Sequence, residues 1–146
     1  MRRALELAAE AAGAGEVPIG AVVVAQGREI AAARNTRERD CDPCGHAELL
    51  AIRAAALSRR DWRLADCTLY VSLEPCAMCA GAIILARVPR VVYAAPDPKG
   101  GFCGTLGDLS HYPGLNHHFE VVPGVLGEES AAMLRDFFRR LRTKDR

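Results

Sequence analysis

Two short segments, HAE at residues 46–48 and PCAMC at residues 75–79, are the most informative part of the chain. They contribute one imidazole and two thiols, which are side chains that zinc prefers as ligands. A zinc ion held by three protein side chains keeps its fourth tetrahedral position for water, and the pKa of that water falls to about 7. The segments therefore predict a water-activating zinc site with one Zn²⁺ per subunit. The predicted ligands are His46, Cys76 and Cys79.

A carboxylate, Glu48, follows two residues after the histidine of this predicted site. The zinc ion does not need it as a ligand, so we predict that Glu48 is the catalytic residue that carries protons to and from the activated water. The alternative is a solvated charge that interacts with the dipole at the start of a helix. The three ligand-type residues around Glu48 favour the catalytic role.

A second pair of cysteines, Cys41 and Cys44, raises the alternative of a closed structural zinc site with four thiolates. The gap of 31 residues between Cys44 and Cys76 exceeds the roughly 15 to 20 residues of a compact zinc ribbon. A closed site would also leave His46 and Glu48 without a role. We therefore expect this pair to line the mouth of the pocket, and a redox role stays open.

The length and composition of the chain limit the kinds of protein that it can be. The chain has 146 residues, a net charge of +1 and 50% hydrophobic residues, which is typical of one folded domain over residues 1–146. A charge so close to zero means that a nucleic-acid partner must be bound by a local patch. Six cysteines without an apolar signal segment indicate reduced thiols in the cytoplasm. No apolar stretch approaches the roughly 20 residues of a membrane span.

The hydrophobic pattern predicts alternating strands and helices, and hence an α/β fold: a three-layer α/β/α sandwich around a five-stranded mixed sheet. A Gln26-Gly27 turn joins the first two strands as a hairpin. The Pro- and Gly-rich segment 96–104 predicts a flexible loop suited to a pocket lid. The predicted strands cover 19–25, 29–33, 68–73, 88–95 and 119–122, and the predicted helices cover the opening residues up to Gly13, 46–57, 76–86 and 128–142.

Three longer motifs narrow the family: GHAE at 45–48, EPCAMCAGA at 74–82 and DPKGG at 97–101. With them the sequence resembles the bacterial tRNA-specific adenosine deaminases of the cytidine deaminase-like fold, almost from end to end. The pattern H-x-E with P-C-x-x-C alone marks only the wider group of zinc nucleobase deaminases. The resemblance implies hydrolytic deamination of adenosine to inosine at the wobble position of a tRNA anticodon.

The resemblance also implies partners and site residues. It implies the zinc ligands and the proton-shuttling Glu48 named above, a tRNA anticodon stem-loop as substrate, and a homodimer in which RNA contacts both subunits. It further implies that the fifth strand runs parallel to the fourth. The residues implied to surround the base and the flanking RNA are Asn35, Ala47 through its amide, Pro75 through its carbonyl, Asp97 and Lys99.

Two positions depart from the family pattern. Cys44-Gly45 precedes the histidine where the family often has Thr-Ala, which places a free thiol near the predicted zinc. His118 stands where an arginine is common, so a permanent positive charge that could contact phosphate is missing.

The closing helix carries a basic run that either contacts phosphates or is a solvated helix end. Phe137 and Phe138 in the same helix either stack on a base or pack in the core. Asn35, taken without the resemblance, is more typical of a turn. The basic run consists of Arg135, Arg139, Arg140, Arg142, Lys144 and Arg146.

Two other functions remain open at this point. One is a zinc-dependent deaminase of a free base or nucleotide, of the guanine or cytosine type. The other is a zinc-stabilised binding module without catalysis. Three further histidines do not alter these alternatives, because the zinc ligands are complete without His111, His117 and His118.

Overall fold

The computed structural model describes residues 1–144, and within them it has four helices and five strands. The elements fall where the sequence predicts them, with ends that differ by one or two residues. Arg146, the last member of the predicted basic run, lies outside the described residues. The helices are α1 (Arg2–Gly13), α2 (Ala47–Arg59), α3 (Ala77–Leu85) and α4 (Gly127–Lys144), and the strands are β1 (Gly20–Ala25), β2 (Arg28–Arg34), β3 (Cys67–Leu73), β4 (Arg90–Ala95) and β5 (Glu120–Val122).

The strands form one mixed sheet in the order β2-β1-β3-β4-β5. Strand β1 is antiparallel to both of its neighbours, whereas β3, β4 and β5 are parallel, as the resemblance implies for the last pair. The β1–β2 hairpin turns at Gln26 and Gly27, whose φ angles of 51° and 73° fit a two-residue turn of the type that suits twisted strands. Four strands therefore point the same way, and the carboxyl ends of β2, β3 and β4 meet at one edge.

The helices cover both faces of the sheet, which confirms the predicted three layers. Helices α2 and α3 pack on one face, where alternate residues of β1 such as Ala21 and Val23 join the main core. The intervening residue Val22 points to the other face and contacts α1. A β-carbon at Gly20 would collide with the backbone carbonyl of Ala4, so α1 lies directly on the start of β1.

Helix α4 lies on the same face of the sheet as α1. The Ser130 hydroxyl near its start donates to the carbonyl of Ser72 in β3, and Arg2 of α1 forms an ion pair with Glu129 at 3.2 Å. These contacts fix the start of α4, while its later turns extend towards the edge where β2, β3 and β4 end. In the described part of the chain no helix combines the length and apolar character of a membrane span.

Candidate active site

A pocket of about 870 Å³ opens at the edge of the sheet where β2, β3 and β4 end. This is the edge at which open α/β sheets generally bind their ligands. Each of the three strands is followed at once by a pocket residue, and α4 forms one wall. The lining residues that concern function are Asn35, Arg37, His46, Glu48, Glu74, Cys76, Asp97, Lys99, Arg135, Phe138, Arg139 and Arg142.

The three predicted zinc ligands come together at the starts of two helices. His46 is the N-cap of α2 and Cys76 the N-cap of α3, both with extended backbone, so the prediction that they are the first helical residues is wrong by one position. Cys79 lies one turn into α3 and is buried. The backbone N–H groups of the two helix starts point towards this cluster, which favours the thiolate forms of its cysteines.

The distances within the cluster fit a zinc ion. The His46 Nδ1 atom lies 3.6 Å from the Sγ atoms of both Cys76 and Cys79, and all three donor atoms lie within 4.8 Å of one another. Tetrahedral zinc with ordinary Zn–S and Zn–N bond lengths requires N···S separations of about 3.6 Å. Three ligand atoms at these separations leave one tetrahedral position for a fourth ligand.

The two cysteines of the cluster have opposite pKa shifts. The neighbouring Cys79 and His46 lower the pKa of Cys76 to about 4, against the effect of burial. The neighbouring Cys76, together with burial, raises the pKa of Cys79. The hydrogen bond with Cys76 also raises the pKa of His46. Zinc binding requires thiolates and a neutral imidazole, so it would release the protons that these groups hold.

Glu48 is buried in the first turn of α2 with only 3% of its surface exposed. Its Oε2 atom is buried and has no hydrogen-bond partner among residues 1–144, although the residue lines the pocket. Burial raises the pKa of Glu48 to about 7, against the opposing effect of His46. The alternative of a solvated surface charge is therefore wrong. A buried carboxylate oxygen without a partner beside three ligand atoms is the arrangement expected of a group that binds a water or a substrate.

The other predicted site residues surround this centre. Asn35, Asp97 and Lys99 line the pocket at the ends of β2 and β4. Ala47 is fully buried at the start of α2, and the Pro75 carbonyl accepts a hydrogen bond from the Phe102 N–H at 2.9 Å. The structure brings all five positions to the same end of the molecule, and their contacts with a base or RNA stay predictions.

The second cysteine pair does not take part in the site. Cys41 and Cys44 are exposed in the loop between β2 and α2, and neither lines the pocket, so the prediction that they line its mouth is wrong. Among the described residues the metal-binding cluster contains His46, Cys76 and Cys79 only, which excludes the four-thiolate alternative there. The path of the loop exposes both thiols to solvent, and the spacing of the two cysteines in the sequence does not predict this exposure.

The orientation of α4 brings only some of its arginines to the pocket. Arg135, Arg139 and Arg142 line the pocket, whereas Arg140 does not. Phe138 lines the pocket and is partly exposed, and it packs edge-on against Phe137 at 5.4 Å between ring centres.

Three of the four histidines lie outside the zinc cluster. His111 and His118 lie beside a separate surface depression, with ring centres 5.7 Å apart. A ring nitrogen of His117 forms a hydrogen bond with the Val88 carbonyl. The prediction that these histidines are not zinc ligands agrees with the described cluster, which contains only His46 among the histidines.

Sequence reasoning overlooked two buried carboxylates near the pocket, Glu16 and Glu74. Glu74 accepts hydrogen bonds from the backbone N–H groups of Asp97, Cys103 and Thr105, so the predicted flexible lid at 96–104 is a loop held in place. Two features of the sequence could have indicated this role of Glu74. It lies between a buried strand and a proline, and the later loop contains two adjacent glycines at 100 and 101, which allow a close backbone approach. Arg37 was also overlooked, because it lies in a loop that contains charges of both signs.

Comparison with known proteins agrees with this geometry. Residues 1–95 match the family described as the cytidine and deoxycytidylate deaminase zinc-binding region. The chain is 52% identical over 144 residues to the tRNA-specific adenosine deaminase of Bacillus subtilis (strain 168), covering 99% of this chain and 89% of that protein.

Two solved structures show the same fold. One comes from work on A-to-I editing by tRNA:A34 deaminases at the wobble position, with a TM-score of 0.89, 42% identity, and coverage of 92% of this chain and 97% of that one. Another is the guanine deaminase of Nitrosomonas europaea, with a TM-score of 0.76, 30% identity, and coverage of 92% and 80%. The predicted cytidine deaminase-like fold and the zinc-binding character of the chain are thereby confirmed. The chain belongs to the tRNA-specific adenosine deaminases, within the zinc-binding cytidine and deoxycytidylate deaminase family.

Proposed function

We propose that this chain hydrolyses adenosine to inosine at the wobble position of a tRNA anticodon. The observation that carries the proposal is the unpartnered Oε2 atom of Glu48, buried beside three zinc-ligand atoms in a pocket with a cationic wall. The name of the Bacillus subtilis relative, which is similar over nearly the whole chain, supports adenosine in tRNA as the substrate.

The reaction replaces the amino group on the purine C6 atom by oxygen. A zinc ion held by His46, Cys76 and Cys79 supplies Lewis acidity, which makes water nucleophilic at neutral pH. Glu48 takes one proton from the attacking water and delivers it to the purine ring. It then takes the second proton of that water from the hydroxyl now bonded to C6 and transfers it to the departing amine. A C–O bond forms, a C–N bond breaks, and ammonia leaves. In the part of the chain that the structure describes, the Oε2 atom of Glu48 has no hydrogen-bond partner, so this oxygen can take part in the transfers without losing a hydrogen bond of the folded state.

The pocket is large enough to hold more than a single base. Its volume of about 870 Å³ lies in the upper part of the usual range for sites that bury drug-sized ligands. We propose that Asn35, the Ala47 amide and the Pro75 carbonyl contact the extruded base. Asp97 and Lys99, on the loop that follows β4, then contact the flanking nucleotides.

Positive charge is concentrated at this pocket. The chain as a whole has a net charge of only +1, yet the pocket is lined by five cationic side chains against three carboxylates, Glu48, Glu74 and Asp97. One of them, Arg139, forms an ion pair with Asp136 at 2.6 Å. A local cationic surface on a nearly neutral protein suits the phosphates of a nucleic acid better than an uncharged free base. The five are Arg37, Lys99, Arg135, Arg139 and Arg142.

Two alternatives are less well supported. The similarity to the Nitrosomonas europaea guanine deaminase favours a free-base substrate, but such a base makes no use of the cationic wall. A non-catalytic zinc module is disfavoured because structural zinc sites normally have four protein ligands, and the cluster supplies three.

A stem-loop substrate tests the proposal directly. We expect kcat/KM for adenosine at the wobble position of a tRNA anticodon stem-loop to exceed that for free adenosine by about 100-fold or more, because flanking nucleotides position the base. Inosine would be measured by nucleoside analysis after digestion, and ammonia release would be measured with free adenosine, guanine and cytidine. If any free substrate were turned over faster than the stem-loop, the proposed RNA editing would be wrong, and the chain would be a deaminase of a free base or nucleoside.

Helix α4 allows a test of the RNA contacts with a matched control. We expect Arg139→Gln with Arg142→Gln to raise KM for the stem-loop about three- to tenfold, with kcat nearly unchanged, because partly exposed ion contacts contribute modestly to binding. The salt dependence of RNA binding should flatten by about 0.7 in log–log slope for each lost phosphate contact. Arg140→Gln, on the same helix but off the pocket, should change neither quantity. If Arg140→Gln had the same effect on KM and on the salt dependence as the double variant, the pocket-facing arginines would have no specific contact with RNA and would simply form a solvated helix face.

A second copy of the chain is part of the proposal. Leu57 in α2 and Leu85, the last residue of α3, are 75% and 71% exposed, on the layer opposite α1 and α4. A second copy packed against these two helices would remove both apolar side chains from water. We propose a homodimer through α2 and α3, with residues 1–146 acting as one deaminase domain. Because two ligands are thiolates, the reducing cytoplasm is the compartment that suits this site.

A further inference from the structure

Glu74 is a buried carboxylate with no direct role in the proposed reaction. It follows the last residue of β3, two residues before the zinc ligand Cys76, and 1% of its surface is exposed. An ionised carboxylate removed from water is costly unless its oxygens are hydrogen-bonded. Its hydrogen bonds therefore indicate why the residue is there.

Within residues 1–144, all the donors to this carboxylate come from the segment 97–105 of the loop that follows β4. The Oε2 atom accepts from the Asp97 N–H at 2.9 Å and from the Thr105 hydroxyl. The Oε1 atom accepts from the N–H groups of Cys103 at 3.0 Å and Thr105 at 3.1 Å. Four donors fill the four acceptor sites of a carboxylate. Glu74 is therefore saturated by the loop and has no acceptor site left for a substrate.

The loop is shaped around the carboxylate. A β-carbon at Gly101 would collide with the Glu74 carboxylate, so only glycine allows the backbone to approach this closely. The adjacent residue Phe102 donates its N–H to the Pro75 carbonyl at 2.9 Å, and Gly101 bridges to Cys76. The loop is thus attached to the segment that carries a zinc ligand, along several consecutive residues.

The same loop presents two side chains to the pocket. Asp97, whose N–H binds Glu74, lines the pocket, and its Oδ1 atom accepts from the Lys99 N–H at 2.9 Å. Lys99 also lines the pocket. A displacement of the Asp97 backbone would therefore be passed on to Lys99.

We propose that Glu74 is a positioning residue that fixes Asp97 and Lys99 against the RNA by binding the loop backbone. It acts through the loop and does not touch the substrate. The proposal rests on the proposed function for its effect on RNA, while its effect on the loop can be measured without any substrate.

Glu74→Gln is the informative substitution. It keeps the volume of the side chain but replaces one acceptor oxygen by an NH₂ group. This donor would face at least one backbone N–H of the loop, so that hydrogen bond would be lost. We expect faster amide hydrogen exchange at Asp97, Cys103 or Thr105, measured by NMR, with zinc content unchanged. We expect KM for the stem-loop to rise about tenfold, the scale for a lost hydrogen bond to a charged group, with kcat changed less than about threefold.

Glu16 provides a matched control. It is also a buried carboxylate, but it accepts from the N–H groups of Glu38 and Arg39 in the loop between β2 and α2. Glu16→Gln should accelerate exchange at those two amides and leave the 97–105 amides unchanged. A uniform change in exchange across both loops in either variant would indicate general destabilisation and overturn the positioning role.

A double-mutant cycle with Lys99→Ala separates positioning from mere stability. If Glu74 acts through Lys99, Glu74→Gln should raise KM much less in the Lys99→Ala background than in the wild type, whereas Glu16→Gln should raise it by the same factor in both. Independent effects of Glu74→Gln and Lys99→Ala would overturn the proposal. Should Glu74→Gln fail to fold, Thr105→Val removes one donor and should give a smaller change of the same kind.

The two proposals fail differently. If the wild type does not deaminate the stem-loop, the proposed function is wrong, and the amide-exchange pattern still reports whether Glu74 holds the loop. If the stem-loop is deaminated but the exchange of the loop amides is unaltered in Glu74→Gln, the positioning role alone is wrong.

Discussion

Replacing Glu48 with glutamine is expected to lower kcat for the stem-loop by about 10³-fold or more while leaving about one zinc ion per chain. Glutamine fills the same buried volume but cannot accept or return a proton. Glu48→Ala should lose as much activity, since it also removes the proton carrier. Single-turnover inosine formation and metal analysis of the purified variants would measure the two quantities.

The control for Glu48 is a carboxylate of the same type outside the pocket. Glu120 in β5 is exposed and forms a surface ion pair with Arg90 at 3.5 Å, so Glu120→Gln should leave both activity and zinc content unchanged. Loss of zinc in Glu48→Gln would make Glu48 a ligand and contradict the proton-carrier role. Retained activity would transfer that role to another group of the pocket.

Removal of a zinc ligand is expected to abolish activity and also to destabilise the fold. His46→Ala, Cys76→Ala and Cys79→Ala each leave two ligands in a cluster that joins the starts of α2 and α3. When free zinc is about 100 times its Kd, binding stabilises the native state by about 2.7 kcal/mol. For a chain of this size the loss corresponds to a fall in Tm of roughly 5–10 °C.

Chelation and a matched cysteine variant complete this test. A chelator should lower the wild-type Tm to that of Cys79→Ala and should have no effect on the variant. The double variant Cys41→Ser, Cys44→Ser changes two exposed cysteines outside the cluster, so its zinc content and its Tm should equal those of the wild type. A substantial loss of zinc in the double variant would revive a role for these thiols in metal binding.

The sequence predicted those features that depend on local chemistry. The Gln26-Gly27 turn followed from its glycine, which tolerates positive φ, and the zinc cluster from the ligand types and their spacing at two helix starts. The parallel pairing of β5 with β4 came from the family resemblance, because a strand of three residues carries little pattern of its own.

The features that it missed depend on tertiary contacts. Glu74 binds amides up to 31 residues away in the chain, and no local pattern reveals a side chain that serves a distant backbone. The exposure of Cys41 and Cys44 follows from the path of their loop, which Glu16 fixes from outside the segment. Likewise, the separation of Arg140 from the pocket-facing arginines requires the rotation of α4 about its axis.

The hairpin turn at Gln26 and Gly27 has a practical consequence, because it lies at the end of the sheet opposite the pocket. Strand β1 has six residues, so the turn is about 20 Å of strand away from the edge where Asn35, Glu74 and Asp97 follow their strands. Inserting one residue within β2, β3 or β4 would turn every later side chain of that strand to the other face and displace one of these residues. A fluorescent label or an affinity tag therefore belongs in the turn, where the chain can lengthen without changing the register of any strand that ends at the pocket.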